Sequence, residues 1–173
     1  MKNAAIFATD SHPPETAVPN EMLTCFLPAS LGSIVEKTDI LSKRTSPEEA
    51  CATDLAVQAA CRWLQKLRFP LEALRGIVLS TTSPERMQPA TATRVQHMLG
   101  ATNAFAFDIN SVCSEMTFRT FPLFGGGAGA ILFHTVDTTY RGVRHSCLKT
   151  DAAKAMRFAF PPGRNESHAR YFD

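Results

Sequence analysis

The sequence has no apolar run approaching the roughly 18 residues that would cross a bilayer, so a membrane-spanning protein is not expected. Its opening stretch, MKNAAIFATDSHPPE, carries one lysine and too short an apolar segment for a signal peptide, which makes the cytoplasm the expected location. Charge of either sign is nearly absent in the balance. Eighteen Lys and Arg against 16 Asp and Glu leave +2, too weak a field to point to nucleic acid or an anionic membrane. The five cysteines (Cys25, Cys51, Cys61, Cys113 and Cys147) are odd in number and widely spaced, without a CxxC pair. The histidines (His12, His97, His134, His145 and His168) form no HExxH or similar pattern. Neither a disulfide framework nor a metal site is therefore expected, and most of the cysteines read as small buried hydrophobes. Repeats and low-complexity segments are also missing. What remains is an ordinary globular composition, 45% hydrophobic over 173 residues, about one domain in length.

Ala4 to Thr9 read as a short buried strand ended by the polar, proline-rich DSHPPE. Ser46-Pro47-Glu48-Glu49 has the form of a capping box, with serine as N-cap and proline at the first helical position. The helix it predicts runs to about Leu67, with Ala50, Leu55, Ala56, Ala59, Ala60, Trp63, Leu64 and Leu67 at helical spacing. Its many alanines imply close packing on a sheet or another helix. A strand is expected from Gly76 to Thr82, a helix from Pro89 to Gly100, and a third strand from Ala104 to Ile109. Together they form a βαβ unit with parallel pairing. A further apolar strand, Ile131 to Thr135, follows the glycine run Gly125-Gly126-Gly127-Ala128-Gly129-Ala130. Beyond Asp137 the chain reads as polar and irregular. The fold class is α/β.

Cys113 lies just past the third strand, and in parallel sheets nucleophiles gather at the carboxyl ends of strands. A helix starting there would favour a thiolate, whereas the neighbouring Glu115 would raise the thiol pKa. The alternative is a buried, inert cysteine. The glycine run lacks the Lys-Ser/Thr of a phosphate loop, and it enters a strand where a dinucleotide fingerprint must leave one. Close backbone packing explains it better.

The ordered succession of Lys37-Thr38-Asp39-Ile40, Asp54-Leu55-Ala56, Ser80-Thr81-Thr82-Ser83-Pro84, Pro89-Ala90-Thr91-Ala92, Val95-Gln96, Leu99-Gly100-Ala101, Phe107-Asp108-Ile109-Asn110, Cys113-Ser114 and Leu123-Phe124-Gly125-Gly126-Gly127-Ala128-Gly129-Ala130 resembles β-ketoacyl-acyl-carrier-protein synthase III, a thiolase-like condensing enzyme. Pro161-Pro162-Gly163-Arg164 and Tyr171-Phe172 extend the likeness to the end of the sequence. The resemblance implies a thiolase-like half over residues 1–173, a mixed β-sheet with packed helices. It implies that Cys113 accepts an acyl group as a thioester, with acyl-coenzyme A and acyl carrier protein as acyl-bearing partners and no cofactor. It also implies a homodimer, or association with a subunit supplying the second half. Lys37 stands near the position of a family arginine at the coenzyme A site. Met87 and Gln88 stand where the family sends a side chain across the dimer into the partner's acyl pocket, the alternative being a plain surface loop.

Four departures accompany the resemblance. Only the first of two similar halves is matched, so nothing here corresponds to the histidine and asparagine that handle malonyl decarboxylation. Only ten residues, Ser114 to Leu123, separate Cys113 from Phe124, which leaves out a βα element of roughly thirty residues. Glu115 replaces a glycine, and Gly126 the aspartate of the glycine motif. Ser33 stands where the family stacks a tryptophan on the adenine, a loss of about 1–3 kcal/mol of stacking. These departures keep open a second reading, a non-catalytic remnant that binds a carrier protein or a complete synthase.

Overall fold

A computed structural model describes residues 2–23, 28–81, 83–109, 125–137, 141–143 and 145–147, with the backbone alone for 28–30. Strand β1 (Asn3–His12) pairs antiparallel with a later strand, Ala128–Val136, in register from Asn3↔Val136 to His12↔Ala128. A bulge between Ile6 and Ala8 interrupts the ladder. β1 thus runs past its expected end at Thr9, and its partner starts three residues before Ile131. The polar Asp10, Ser11 and His12 remain in the strand because Ala130, Gly129 and Ala128 still pair with them.

Strands β2 (Thr16–Pro19) and β3 (Ser42–Thr45) form a second antiparallel ladder, with helix α1 (Pro28–Thr38) between them in sequence. Buried Asn20 closes it, its backbone N–H donating to the Leu41 carbonyl at 3.0 Å and its side-chain amide to Ile40 at 2.6 Å. None of these three elements was expected from hydrophobic periodicity. The strands are short, TAVP and the wholly polar SKRT, which leaves little pattern to read.

Helix α2 spans Ala52–Leu67 and starts later than the Ser46 cap predicts. Cys51 is the N-cap instead, and the Asp54 carboxylate accepts the Cys51 N–H at 2.9 Å. Pro47 and its neighbours close a turn, Ala50 N–H to Pro47 carbonyl at 3.0 Å. Both sites offer an acid three residues after the cap. The later one also receives a second carboxylate, that of Glu85, on the Thr53 N–H at 2.9 Å, which adds charge at the positive end of the helix.

The βαβ unit is as expected: β4 (Gly76–Ser80), α3 (Thr91–Leu99) and β5 (Phe105–Ile109), with β4 and β5 parallel from Gly76↔Phe105 to Ser80↔Ile109. Gly100 ends α3 at φ +73°, where a side chain would be strained. The last described strand, Ala128–Val136, is β6. Among the described residues the ladders are three separate pairs, so antiparallel and parallel pairing occur in different ladders rather than within one hydrogen-bonded sheet.

Helix α2 joins the β1–β6 and β4–β5 ladders. Its Ala60 and Trp63 pack with Leu74, Ala101, Ala104 and Leu132, and Ala8, Ile77 and Ala130 border this core. Ala59 and Ala92 are fully buried, so small side chains let α2 and α3 approach closely. The alanines therefore serve both neighbours, sheet and helix. Among the described residues, the β1–β6 and β4–β5 ladders are each covered on one side only. Val78, Phe105, Phe107 and Ile109 on β4–β5, and Ile6, Ile131 and Phe133 on β1–β6, remain exposed.

Candidate functional site

Parallel pairing brings the carboxyl ends of β4 and β5 side by side at Ser80 and Ile109. Beyond β4 the loop 83–90 leads into α3. From β5 it continues toward Cys113, which lies outside the described residues, as do Asn110, Glu115 and Phe124. The site is thus built around the end of this βαβ unit.

Two carboxylates organise it. Asp108 lies on β5 with Ala106, on the side away from exposed Phe107, and reaches the first turn of α3. Its two oxygens accept the N–H groups of Thr91 at 2.7 Å and Ala92 at 2.8 Å. The N-cap of α3 is Ala90, which has no side-chain acceptor, so the cap comes from the neighbouring strand. Glu85, in the loop, accepts the Thr53 N–H with one oxygen and forms an ion pair with Arg94 of α3 through the other. At the far end of α3, Gln96 donates to the carbonyls of Ala101 at 3.3 Å and Ala104 at 2.7 Å, fixing the turn into β5.

Met87 and Gln88 sit together in this loop, and Met87 is 86% exposed. The Gln88–Pro89 peptide is cis. Lys37 is exposed on the last turn of α1, a different element, and no hydrogen bond or ion pair joins it to the loop among the described residues. Ser33, on the same helix, is exposed too. An open groove of about 550 Å³ lies elsewhere, lined by Ala4, Ile6 and Phe133 of the β1–β6 ladder together with Arg141 and Val143 from beyond it, and includes none of these residues.

The glycine run packs flat on the end of β3. Gly126 donates its N–H to the Arg44 carbonyl at 2.8 Å. A Cβ on Gly125 would stand 2.7 Å from that carbonyl oxygen, and one on Gly126 2.5 Å from the Ser46 hydroxyl. Close backbone approach therefore accounts for these glycines, and the aspartate that Gly126 replaces would meet Ser46. Among the described residues no group of three or more His, Cys, Asp or Glu is arranged to hold a metal ion. No described helix is long and apolar enough to cross a membrane.

No protein-family model matches the chain. A β-ketoacyl-acyl-carrier-protein synthase III of Clostridium perfringens (strain 13 / Type A) is 39% identical over 118 residues, covering 68% of this chain and 36% of the relative. The chain belongs to the β-ketoacyl-acyl-carrier-protein synthase III family. A second such synthase, of Erythrobacter litoralis, is 30% identical over 190 residues, covering 89% of this chain and 59% of the relative. That span exceeds the 173 residues present here, so the synthase carries residues that this chain lacks inside the matched region. The solved synthase III of Thermus thermophilus superposes with a TM-score of 0.75 at 24% identity, covering 88% of this chain and 57% of that one, which establishes the thiolase-like α/β fold. The chain thus spans between about a third and three-fifths of the synthases it matches.

Sequence reasoning quoted Asp108 and Gln96 for their likeness to the synthases without assigning them a task, and it passed over Glu85 and Arg94. For Asp108 a signal existed: strand alternation puts an acid on the helix-covered side of β5, next to a helix whose own N-cap is alanine. For Glu85 there was none, because its partners lie 32 residues back and 9 ahead.

Proposed function

We propose that this chain is the acyl-accepting part of a synthase III-type condensing enzyme, with Cys113 as nucleophile. The Sγ thiolate would attack the carbonyl carbon of an acyl-coenzyme A or acyl-carrier-protein thioester. The new C–S bond forms as the old one breaks, and the coenzyme A or carrier thiolate leaves and takes up a proton. The acyl group then waits on Cys113 for a carbon nucleophile produced by decarboxylation of a malonyl carrier protein. That second stage calls for residues of a second half, on a partner subunit or a further length of chain. Acyl carrier protein is the proposed partner, in a cytoplasmic pathway of fatty-acid or related acyl-chain synthesis, with homodimerisation or a second-half subunit completing the assembly. Lys37 is assigned to coenzyme A, and Met87 and Gln88 to the acyl chain.

The observation that carries this reading is the 39% identity to the Clostridium perfringens synthase over two-thirds of the chain. It is supported by the parallel β4–β5 pair, whose carboxyl end leads into the Cys113 segment. A non-catalytic, carrier- or synthase-binding remnant is the second reading, favoured by the departures at Glu115, Gly126 and Ser33.

Intact-protein mass spectrometry after incubation with acyl-coenzyme A, and separately with acyl-carrier protein, distinguishes the two. An acyl-sized increment, reversed by hydroxylamine and absent in Cys113→Ala, is expected. A folded sample without the increment would overturn Cys113 as nucleophile and leave the remnant reading.

A further inference from the structure

We propose that Glu85 is the positioning residue of the loop 83–90, holding Met87 and Gln88 in place by tying the loop to both helices at once. The assignment of Met87 and Gln88 to the acyl chain rests on the function proposed above, but the tie itself does not. The loop has a reason to need one. It carries an 86% exposed methionine, and exposed connections with few buried contacts open at little cost. Its far end is held by Asp108 through the Thr91 and Ala92 amides, at the entry to α3. Two residues before Met87, the Glu85 side chain is only 10% exposed. One oxygen takes the amide of Thr53, a fully buried residue in the first turn of α2, at 2.9 Å. That amide is one of the donors a helix cannot satisfy within itself. The other oxygen pairs with Arg94, one turn into α3, whose side chain is 48% exposed. A single carboxylate therefore spans α2, the loop and α3. Charge-assisted bonds of this kind are the stronger class, and a glutamine would keep the amide contact while giving up the ion pair.

The tie is tested by tryptic cleavage of the full chain after Arg86, beside Met87, with cleavage after Arg75 at the head of β4 as the internal reference for global opening. Arg94→Met leaves the sequence around the scissile bond unchanged. It is expected to speed cleavage after Arg86 roughly tenfold relative to the reference, while Arg94→Lys retains near-parental protection. Glu85→Ala, normalised to the same variant unfolded in urea, is expected to exceed Arg94→Met, with Glu85→Gln between parent and alanine. Equal acceleration at both bonds, or no change at Arg86 in Glu85→Ala, would overturn the proposal.

A second readout separates the tie from the function. Loading of Cys113 with a short and a long acyl-coenzyme A should shift in relative rate in Glu85→Ala. A loop freed by proteolytic criteria without any such shift would uphold the tie and remove the loop from the acyl site.

Discussion

Single residues differ here in what surrounds them more than in what they are. Gly125 and Gly129 belong to the same glycine run, yet a Cβ on Gly125 would press on the Arg44 carbonyl at 2.7 Å, whereas around Gly129 nothing lies within 4 Å. Gly125→Ala is expected to destabilise by about 1–3 kcal/mol through backbone displacement. Gly129→Ala, near the start of β6, should be neutral or stabilising by up to ~1 kcal/mol. Urea midpoints of the two variants decide this, and equal midpoints would dismiss the packing account of the run. The sequence made it legible that these glycines pack rather than bind phosphate, because they precede a strand. It did not reveal which of them is indispensable, since Arg44 is 81 residues away in the chain. Asp10 supplies a pH test at the same scale. Its hydrogen bond to Lys66, helped by the Ser11 N–H, lowers its pKa from the ordinary 3.8. A carboxylate depressed in the folded state contributes stability above its ordinary pKa and loses that contribution as pH falls through the folded value. Asp10→Asn should therefore be less stable than the parent near neutrality, with the gap closing as pH falls below 3.8 through the lower folded value. Urea titrations at several pH values, showing a constant gap instead, would contradict the assignment.

At the level of elements, the βαβ unit was readable because its strands are short apolar runs and its helix stops at a glycine. The start of α2 was not. Ser46 and Cys51 each precede an acid by three residues, and the choice falls to Glu85, a residue from another element that hydrogen-bonds only the later start. The β2–β3 ladder escaped for a related reason: Asn20 and the backbone of 40–41 hold it, not a stripe of apolar side chains. Long-range polar contacts of this kind leave no periodic trace. Asp108 is the sharpest case, and it yields a quantitative expectation. Asp108→Ala removes both acceptors from the first turn of α3 while Ala90 offers no replacement, a loss of about 1–2 kcal/mol. Asp108→Asn keeps one acceptor oxygen and should lose less. Thermal or urea unfolding of the pair gives the order; an asparagine variant as weak as alanine would mean that charge, not the hydrogen bonds, supplies the cap.

For the molecule as a whole, the family and the α/β class could be read from ordered motifs spread along the chain, while the division into three ladders could not, because pairing partners are set by the tertiary arrangement. The same arrangement leaves a consequence for association. Helices cover one side of β4–β5, and on the other Val78, Phe105, Phe107 and Ile109 are 51%, 62%, 45% and 41% exposed, with the rings of Phe105 and Phe107 stacked at 6.0 Å. Apolar surface gathered in this way marks interfaces in stable soluble proteins. The synthases that share the fold are longer, so they have further chain with which to cover an equivalent surface. Within this chain no described element does so. Self-association is the expected outcome, and sedimentation velocity should show a weight-average mass above 18.9 kDa that rises with concentration. Phe107→Lys places a charge at the centre of the patch without touching the helix-packed side, and is expected to shift the distribution toward the monomer with an unchanged far-ultraviolet circular dichroism spectrum. A parent chain that stays at 18.9 kDa across the concentration range would show that the face is already covered by its own residues, and would remove the case for a second-half partner docking there.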